Sequence, residues 1–434
     1  MLKSKISPFF LNTTPHDFNI ALCPVTPVFI MVNRVFNIST APTTTTKIYI
    51  LLYSAFHANS PKRTDTMKLN CNRQKLNDAV LNVQRAVASK STVPALEGIL
   101  IKAVNGQLIL TGYNLEIGIT TSMEAMIYEE GTIVINAKLL SDIIRRMPED
   151  TITFETDEKL IVYIHSGRSN YRIIGIPAEE FPELPTVNAE DSVTIEGHIL
   201  KSMIQQTIYA VSDKDIKPAH KGSLFEIENR TIKIISVDGY RLAIRKEEID
   251  YDGEKRFIVP GKSLTEVEKL TGEDTENVSI SVGSRHIVFR IDSYSIITRL
   301  IEDEFMNYKS AIPSKHATEL KVNTRKFISA IDRMSLLLNE RMKSPIRCRI
   351  DNDTIKTFCN TSLGQANDEF EAEIQGEDIE IGFDYKFMLD ALKNTDTDEV
   401  KIQMNGPLSP IIILHNEGDS FVCLVLPVRL RNEH

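Results

Sequence analysis

The stretch VINAKLLSDIIRRM at residues 134–147 reads as a short apolar strand, a turn and a helix, and the chain writes the same plan twice more. IVPGKSLTEVEKLT begins at Ile258 and IGFDYKFMLDALKN at Ile381. A lysine stands at each turn (Lys138, Lys262, Lys386), and successive lysines are 124 residues apart. Seven residues on, each helix carries a second basic residue: Arg145, Lys269 and Lys393. Positions i and i+7 are two helical turns apart, so each pair shares one face. One such helix alone is an ordinary solvated face. Three at a fixed period describe a repeat that presents positive charge to something.

Working outward, each repeat has a first half built on the same plan. MKLNCNRQKLNDAVLNVQRAV starts at Met67, VTIEGHILKSMIQQTIYAV at Val193 and LKVNTRKFISAIDRMSLLL at Leu320. Leu76, Val80, Val83 and Val87 follow the opening strand at helical spacing. Alternating apolar stretches come next, such as GILIKAVNGQLILTGYNLEIGITTSM at 98–123, joined by Asn-Gly or Asn/Asp-rich turns of the hairpin kind. The second halves continue with strands such as TITFETDEKLIVYIHSGRSNYRIIGI at 151–176. Linkers fall at 177–191 and 303–319. The expected class is therefore α+β, with three similar domains at 67–190, 191–316 and 317–434, each a doubled strand-helix-strands unit.

Bulk properties agree with an ordinary globular protein. The 434 residues are 42% hydrophobic and 25% charged, and the length allows two to four domains. Cys23, Cys71, Cys348, Cys359 and Cys423 form no CxxC pair and have no histidine at ligand spacing. That argues against zinc and against a disulfide framework, and fits a reducing, cytoplasmic setting. The first 66 residues hold six Lys/Arg and two Asp/Glu; the other 44 basic and 57 acidic residues give the remainder a net charge of −13. Such a body does not adhere to nucleic acid indiscriminately and needs a localised basic surface to meet it.

The leader at 1–66 differs from the rest. It has few charges, a TAPTTTTK run at 40–47, and an apolar piece at 20–32 broken by Pro24 and Pro27. That piece is too short and interrupted to span a bilayer, and the layout is not that of a signal peptide. The expectation is that the natural start is Met67, where the repeat begins, and that residues 1–66 are a mis-called start or a dispensable, disordered leader.

The passages VDGYRLA (237–243), FIVPGKSL (257–264), SGRSNYRI (166–173), EEFPELP (179–185) and LVLPVRL (424–430) are short, but their order and spacing resemble those of the bacterial DNA polymerase III beta subunit, the sliding-clamp family. The resemblance covers about 360 residues, from Met67 to Leu430. It implies three clamp domains per chain and two chains joined head to tail in a ring, with helices lining the hole and sheets on the rim. It implies a non-catalytic processivity factor. Its partners would be double-stranded DNA held without sequence preference, the replicative polymerase, a clamp loader and other proteins bearing a clamp-binding motif, with no cofactor, metal or membrane. A basic inside and an acidic outside would let a −13 body surround DNA, and phosphate contacts carry no sequence information.

On this reading the DNA-facing residues are the six helix cations together with Lys90, Lys217, Arg341 and Lys343 in loops; Arg325, Lys326 and Arg333 add a similar face. The resemblance also implies a peptide groove formed by Val237, Gly239, Tyr240, Arg241, Leu242, Leu426, Pro427, Val428, Arg429 and Leu430. Short linear motifs would anchor apolar side chains there. Met306 and His220 depart from the family's usual residues beside it. The implied ring joint packs Tyr171 and Ile173 on Leu336 and Leu337. Two other readings stand beside this one. One is a hydrolase-type enzyme using Asp238 and a histidine, although Asp238 before Gly239 suits a turn; the other is an interaction scaffold that never meets DNA. PGKS at 260–263 lacks the glycine five residues before Gly261 that a phosphate-binding loop needs.

Overall fold

The computed structural model describes residues 66–188, 190–214, 217–338 and 344–430. Residues 1–65 of the leader, and with them most of that expectation, lie outside the described residues, as do Arg341 and Lys343. Among the described residues are six α-helices: α1 (Arg73–Val83), α2 (Ala137–Arg145), α3 (Gly197–Ile208), α4 (Gly261–Leu270), α5 (Thr324–Ser335) and α6 (Tyr385–Lys393). They pack as three pairs, α1 on α2, α3 on α4 and α5 on α6.

Each helix starts directly at the end of a strand. The side chains of Asn72, Asn136 and Asn323 accept the amides of Lys75, Leu139 and Lys326, and Asp384 accepts that of Lys386. A cap of this kind is worth about 1 kcal/mol. Apolar spacing outlasts the first helix: α1 stops at Val83, a 3₁₀ turn (Gln84–Ala86) follows, and Val87 is extended. Hairpin turns recur at the repeat's period. Asn105 and Gly106 have φ of 50° and 74°, Asn229 and Arg230 50° and 57°, Asn352 and Asp353 48° and 58°. Two successive left-handed residues match the right-handed twist of the flanking strands.

Pairing does not respect the repeat boundaries. The first repeat's strand Ile117–Glu124 pairs antiparallel with the second's Tyr294–Arg299, fusing both into one eight-stranded sheet. The second repeat's Arg241–Glu248 pairs likewise with the third's Phe421–Val425 in a nine-stranded sheet. Two smaller sheets stay within a single repeat. A five-stranded sheet ends in Ser169–Ile174, and a four-stranded sheet ends in Gly364–Glu371.

Alternation along these strands separates two sides. Ile411, Ile413, Cys423 and Val425 enter the core beneath α5 and α6, whereas Ile412 and Leu424 join a second cluster on the opposite side. The first two repeats share one continuous core. Cys71, Cys348, Cys359 and Cys423 are free, buried thiols. No helix among the described residues is long and apolar enough to cross a membrane.

Candidate functional site

The helix cations are exposed, as their spacing predicts: Lys138 and Arg145 on α2, Lys262 and Lys269 on α4, Lys386 and Lys393 on α6. The apolar face of α2 (Ala137, Leu140, Ile143, Ile144) is buried, which turns the lysine face outward from the core. Lys90 and Lys217 are also exposed, in loops. Arg325 and Lys326 are exposed on α5, and Arg333 is ion-paired with Asp368.

A third member of the helix repeat escaped the reading of the cations. An acid stands four residues after each lysine: Asp142, Glu266 and Asp390. Asp142 accepts Arg145 and Arg146 at 2.9 and 2.8 Å, and hydrogen bonding from Arg146 comes first in holding its carboxyl below the usual range. Glu266 accepts Lys269 at 2.9 Å and reaches back to Arg85 of the first repeat at 3.6 Å. Asp390 reaches back to Arg241 of the second repeat at 2.5 Å. All three acids dilute the positive face, and Glu266 and Asp390 also tie adjacent repeats together.

The groove residues divide. Val237 and Leu242 are buried in the outer cluster with Leu224, Phe305, Ile412 and Leu424, and Met306, Ile312, Leu414 and Val422 pack against it, partly exposed. Tyr240 and Leu426 stand at the rim, 54% and 39% exposed, and the Leu426 amide donates to the Tyr240 carbonyl at 2.8 Å. Gly239 takes φ +91° in the turn between Val237 and Leu242, a conformation that costs glycine little. Pro427 is half-buried and Arg429 exposed. Val428 and Leu430 leave the cluster and lie along Gly382: the Val428 amide donates to its carbonyl at 2.8 Å, and Leu430 occupies the space a Cβ there would need.

His220 presents its ring edge to Phe305 at 6.3 Å between centroids. Burial, and then Lys217, push its pKa below the usual value. A neutral ring beside a phenylalanine behaves as an apolar group, so the cluster admits it. Asp238 is committed to its turn: Oδ1 accepts the amides of Tyr240 (2.9 Å) and Arg241 (3.1 Å), and Oδ2 accepts Arg241 Nε at 2.9 Å. That leaves a hydrolase reading without its proposed acid. Ser263 of PGKS is buried, its hydroxyl 2.7 Å from that of Thr298. Among the described residues, no cluster of His, Cys, Asp or Glu side chains could hold a metal ion.

The two open sheet edges carry the remaining candidates. Tyr171 and Ile174 on one edge are 39% and 79% exposed, and Leu139 on α2 of the same repeat is 44% exposed. At the other end Leu336 and Leu363 are 81% and 66% exposed. Ile173 and Leu337 are half-buried against their own cores. Ile174, Leu139 and Leu363 were not anticipated; exposure of large apolar side chains beside an unpaired strand is the signal that finds them.

Comparison with known proteins adds a separate line of observation. Three family descriptions match in order: the N-terminal domain of the DNA polymerase III beta subunit at residues 67–185, its central domain at 194–307 and its C-terminal domain at 309–429. The chain is 30% identical over 376 residues to the beta sliding clamp of Bacillus subtilis, covering 84% of this chain and 100% of that one. It is 30% identical over 365 residues to the beta sliding clamp of Staphylococcus aureus, covering 82% and 96%. The crystal structure of the Bacillus subtilis clamp superposes with a TM-score of 0.82, covering 84% of this chain and all of that one. A Pseudomonas aeruginosa sliding clamp bound to griselimycin superposes at 0.79 with 26% identity, covering 84% of this chain and 100% of that one.

Proposed function

This chain belongs to the DNA polymerase III beta subunit family, the bacterial sliding clamps, and from that premise we propose how it works. It is a processivity factor, a protein that contributes no chemistry of its own. Two copies close head to tail around duplex DNA, and a polymerase tethered to the groove beside Leu242 stays with the ring. The setting is cytoplasmic, and a clamp loader opens the ring with its own ATP.

One observation carries the ring: the open ends are two halves of a seam the chain already makes. Read from its edge, the four-stranded sheet runs Ile379–Phe383, Ile346–Asp351, Thr354–Thr361, Gly364–Glu371. The five-stranded sheet runs Ser169–Ile174, Ile161–Ser166, Thr151–Thr156, Met67–Asn72, Met126–Glu129. Laid edge to edge, they reproduce the nine-strand order of the seam between second and third repeats, element by element.

The register follows from the hairpins. Val237 pairs with Leu242 and Asn360 with Gln365, and Val237 and Asn360 each stand seven residues past the turn residues Arg230 and Asp353, so Gly364 and Ala366 correspond to Arg241 and Ala243. Ile411 pairs with Val425 and Val162 with Ile173, so Ile173 and Tyr171 correspond to Val425 and Cys423. Arg241 faces Val425 and Ala243 faces Cys423. Across the joint, Gly364 of one copy then faces Ile173 of the other, and Ala366 faces Tyr171. Tyr209, the residue after α3, packs against the core cluster that contains Cys423. Its counterpart after α5 is Leu336, which supports the packing of Tyr171 on Leu336. Closing the joint also covers two exposed strand edges.

Charge supports the choice of DNA. The recurrent lysines give a weak, sequence-independent attraction that topology makes sufficient. The native mass of the particle, together with its retention on circular and on linearised DNA, tests the proposal. A ring of two copies stays on circular DNA and runs off the linear form. Equal retention on both would replace encirclement with ordinary binding.

A further inference from the structure

Arg241 does not behave as a groove-lining side chain. Its side chain is only 11% exposed. The guanidinium lies 4.7 Å from the ring centroid of Phe387 on α6 and 5.4 Å from that of Tyr209 after α3. Its Nε bonds Asp238 at 2.9 Å within the groove's own turn, and Nη1 bonds Asp390 on α6 at 2.5 Å. The rim is tied to the same place: Tyr240 stacks on Phe387 at 5.8 Å and 20° between planes, and Lys214 stands over Tyr240 at 5.6 Å. Two planar faces and two carboxylates leave a guanidinium little freedom, and no ammonium reproduces that set of contacts.

This arrangement is not inherited from the repeat. In the first repeat Ile117 takes the place of Arg241 and Asn114 that of Asp238, and there Glu266, the counterpart of Asp390, meets Arg85 instead. The bridge therefore occurs at the seam that carries the candidate groove. Its far end, α6, is the helix that presents Lys386 and Lys393.

We propose that Arg241 is a positioning residue: it couples the groove rim, residues 238–241 and the Tyr240–Phe387 stack, to α6, so that occupancy of the groove is felt by the cations facing the ring's hole. The proposal rests on the groove reading above. A ligand pressing on Tyr240 moves Phe387 and the Arg241–Asp390 bridge together, because the Phe387 ring meets both Tyr240 and the guanidinium.

Hydrogen exchange of the α6 amides, with and without griselimycin, tests this on the full-length chain. Wild type is expected to bind griselimycin and to slow α6 exchange several-fold on binding. Asp390→Asn is the informative variant, because the Asp390 side chain is 44% exposed and the substitution keeps its size, so the fold is expected to survive, as circular dichroism would check. It is expected to keep its dimer mass and bind griselimycin within about threefold of wild type, while α6 exchange no longer responds. Arg241→Lys is expected to lose the response as well, and the double variant to lose no more than either single one, since all remove one bridge. If Asp390→Asn binds griselimycin and α6 still responds as in wild type, the coupling is overturned while the groove stands. If wild type fails to bind griselimycin, the groove reading falls and the coupling with it.

Discussion

The chain makes the same seam twice, between repeats one and two and between repeats two and three, and treats its outer side differently. Both begin at a turn held by a side-chain cap: Asn114 accepts the amides of Glu116 and Ile117, and Asp238 those of Tyr240 and Arg241. The next residue is left-handed in both, Leu115 at φ 74° and Gly239 at φ 91°. At the first seam Tyr113 and Leu184 fill the outer side, so closely that a Cβ on Gly118 would lie 2.9 Å from Leu184 and 3.2 Å from Tyr113. At the second seam Val237 stands for Tyr113 and Leu242 for Gly118. The ring is gone, and an apolar floor lies under a partly exposed margin of Met306, Ile312 and Leu414. One backbone thus yields a plugged joint or a candidate groove, according to where bulk sits. The proposed ring joint would be a third such seam, split between the chain's two ends.

The largest effect is expected at that split seam. Aspartate at both Leu336 and Leu337 puts charges into an interface that has to be dry, at a cost of several kcal/mol. Sedimentation should then report monomers. A dimer that persists would mean that the third seam is not a copy of the other two.

Next is the second seam. Leu242→Asp loses the burial term and adds a desolvation cost of several kcal/mol, so peptide binding should disappear. Because Leu242 is only 2% exposed, the fold must be checked by circular dichroism. Leu426→Ala at the exposed rim is the milder companion, expected to weaken binding about tenfold with the fold unchanged, as loss of a partly buried leucine contact implies. Normal binding by a folded Leu242→Asp protein would remove the groove from this seam.

The comparison can also be broken by exchange. Val237→Tyr installs the first seam's plug in the second. It should cost about 1–3 kcal/mol of stability through overpacking and reduce peptide affinity by at least about tenfold. Tyr113→Val should destabilise the first seam without creating a binding site, because Leu184 still covers Gly118. A new site there would show that Tyr113 alone makes the difference.

Smaller is the effect of neutralising Lys138, Lys262 and Lys386 together. The slope of DNA affinity against salt should flatten by up to about five for the six lysines of a two-copy ring, near 0.9 per phosphate contact. An unchanged slope would turn the three helices away from DNA.

The smallest effect concerns pH. Burial, then Lys217, lower the pKa of His220 from its ordinary 6.5, while Asp238 and Asp303 oppose the shift. The unfolded chain therefore takes up a proton first as pH falls below about 6.5, and stability declines on the acid side. His415, also lowered, mainly by burial, adds to that slope. His220→Leu should flatten the decline in melting temperature between neutral and mildly acid pH, and an unaltered profile would mean that His220 is already solvated.

The cations, the turns and the repeat were legible because they are local. A lysine two residues into a capped helix, a seven-residue spacing and an Asn-Gly turn all act through backbone periods of 3.6 and 2 that any reader can count. The Asp238 turn was legible for the same reason. The acids Asp142, Glu266 and Asp390 stand at the same 124-residue period, but a period shows where charges recur and not which cation each acid meets. The exposed Ile174 and Leu363 were not legible, because in the sequence they look like any strand or turn residue.

From sequence alone come the three-fold repeat, the α+β class, the basic helix faces and, through the resemblance, the clamp family. Tertiary structure decided what a repeat cannot state about itself: that sheets cross the repeat boundaries, that two sheets end in strands with exposed apolar side chains, and that Arg241 is largely enclosed between Phe387, Tyr209 and two carboxylates. The reason is physical. Helix periodicity and turn chemistry are set within a few residues. Strand partners, ion pairs over 149 positions such as Arg241 with Asp390, and the side of a sheet left open depend on which distant surfaces meet, and only the folded chain brings them together.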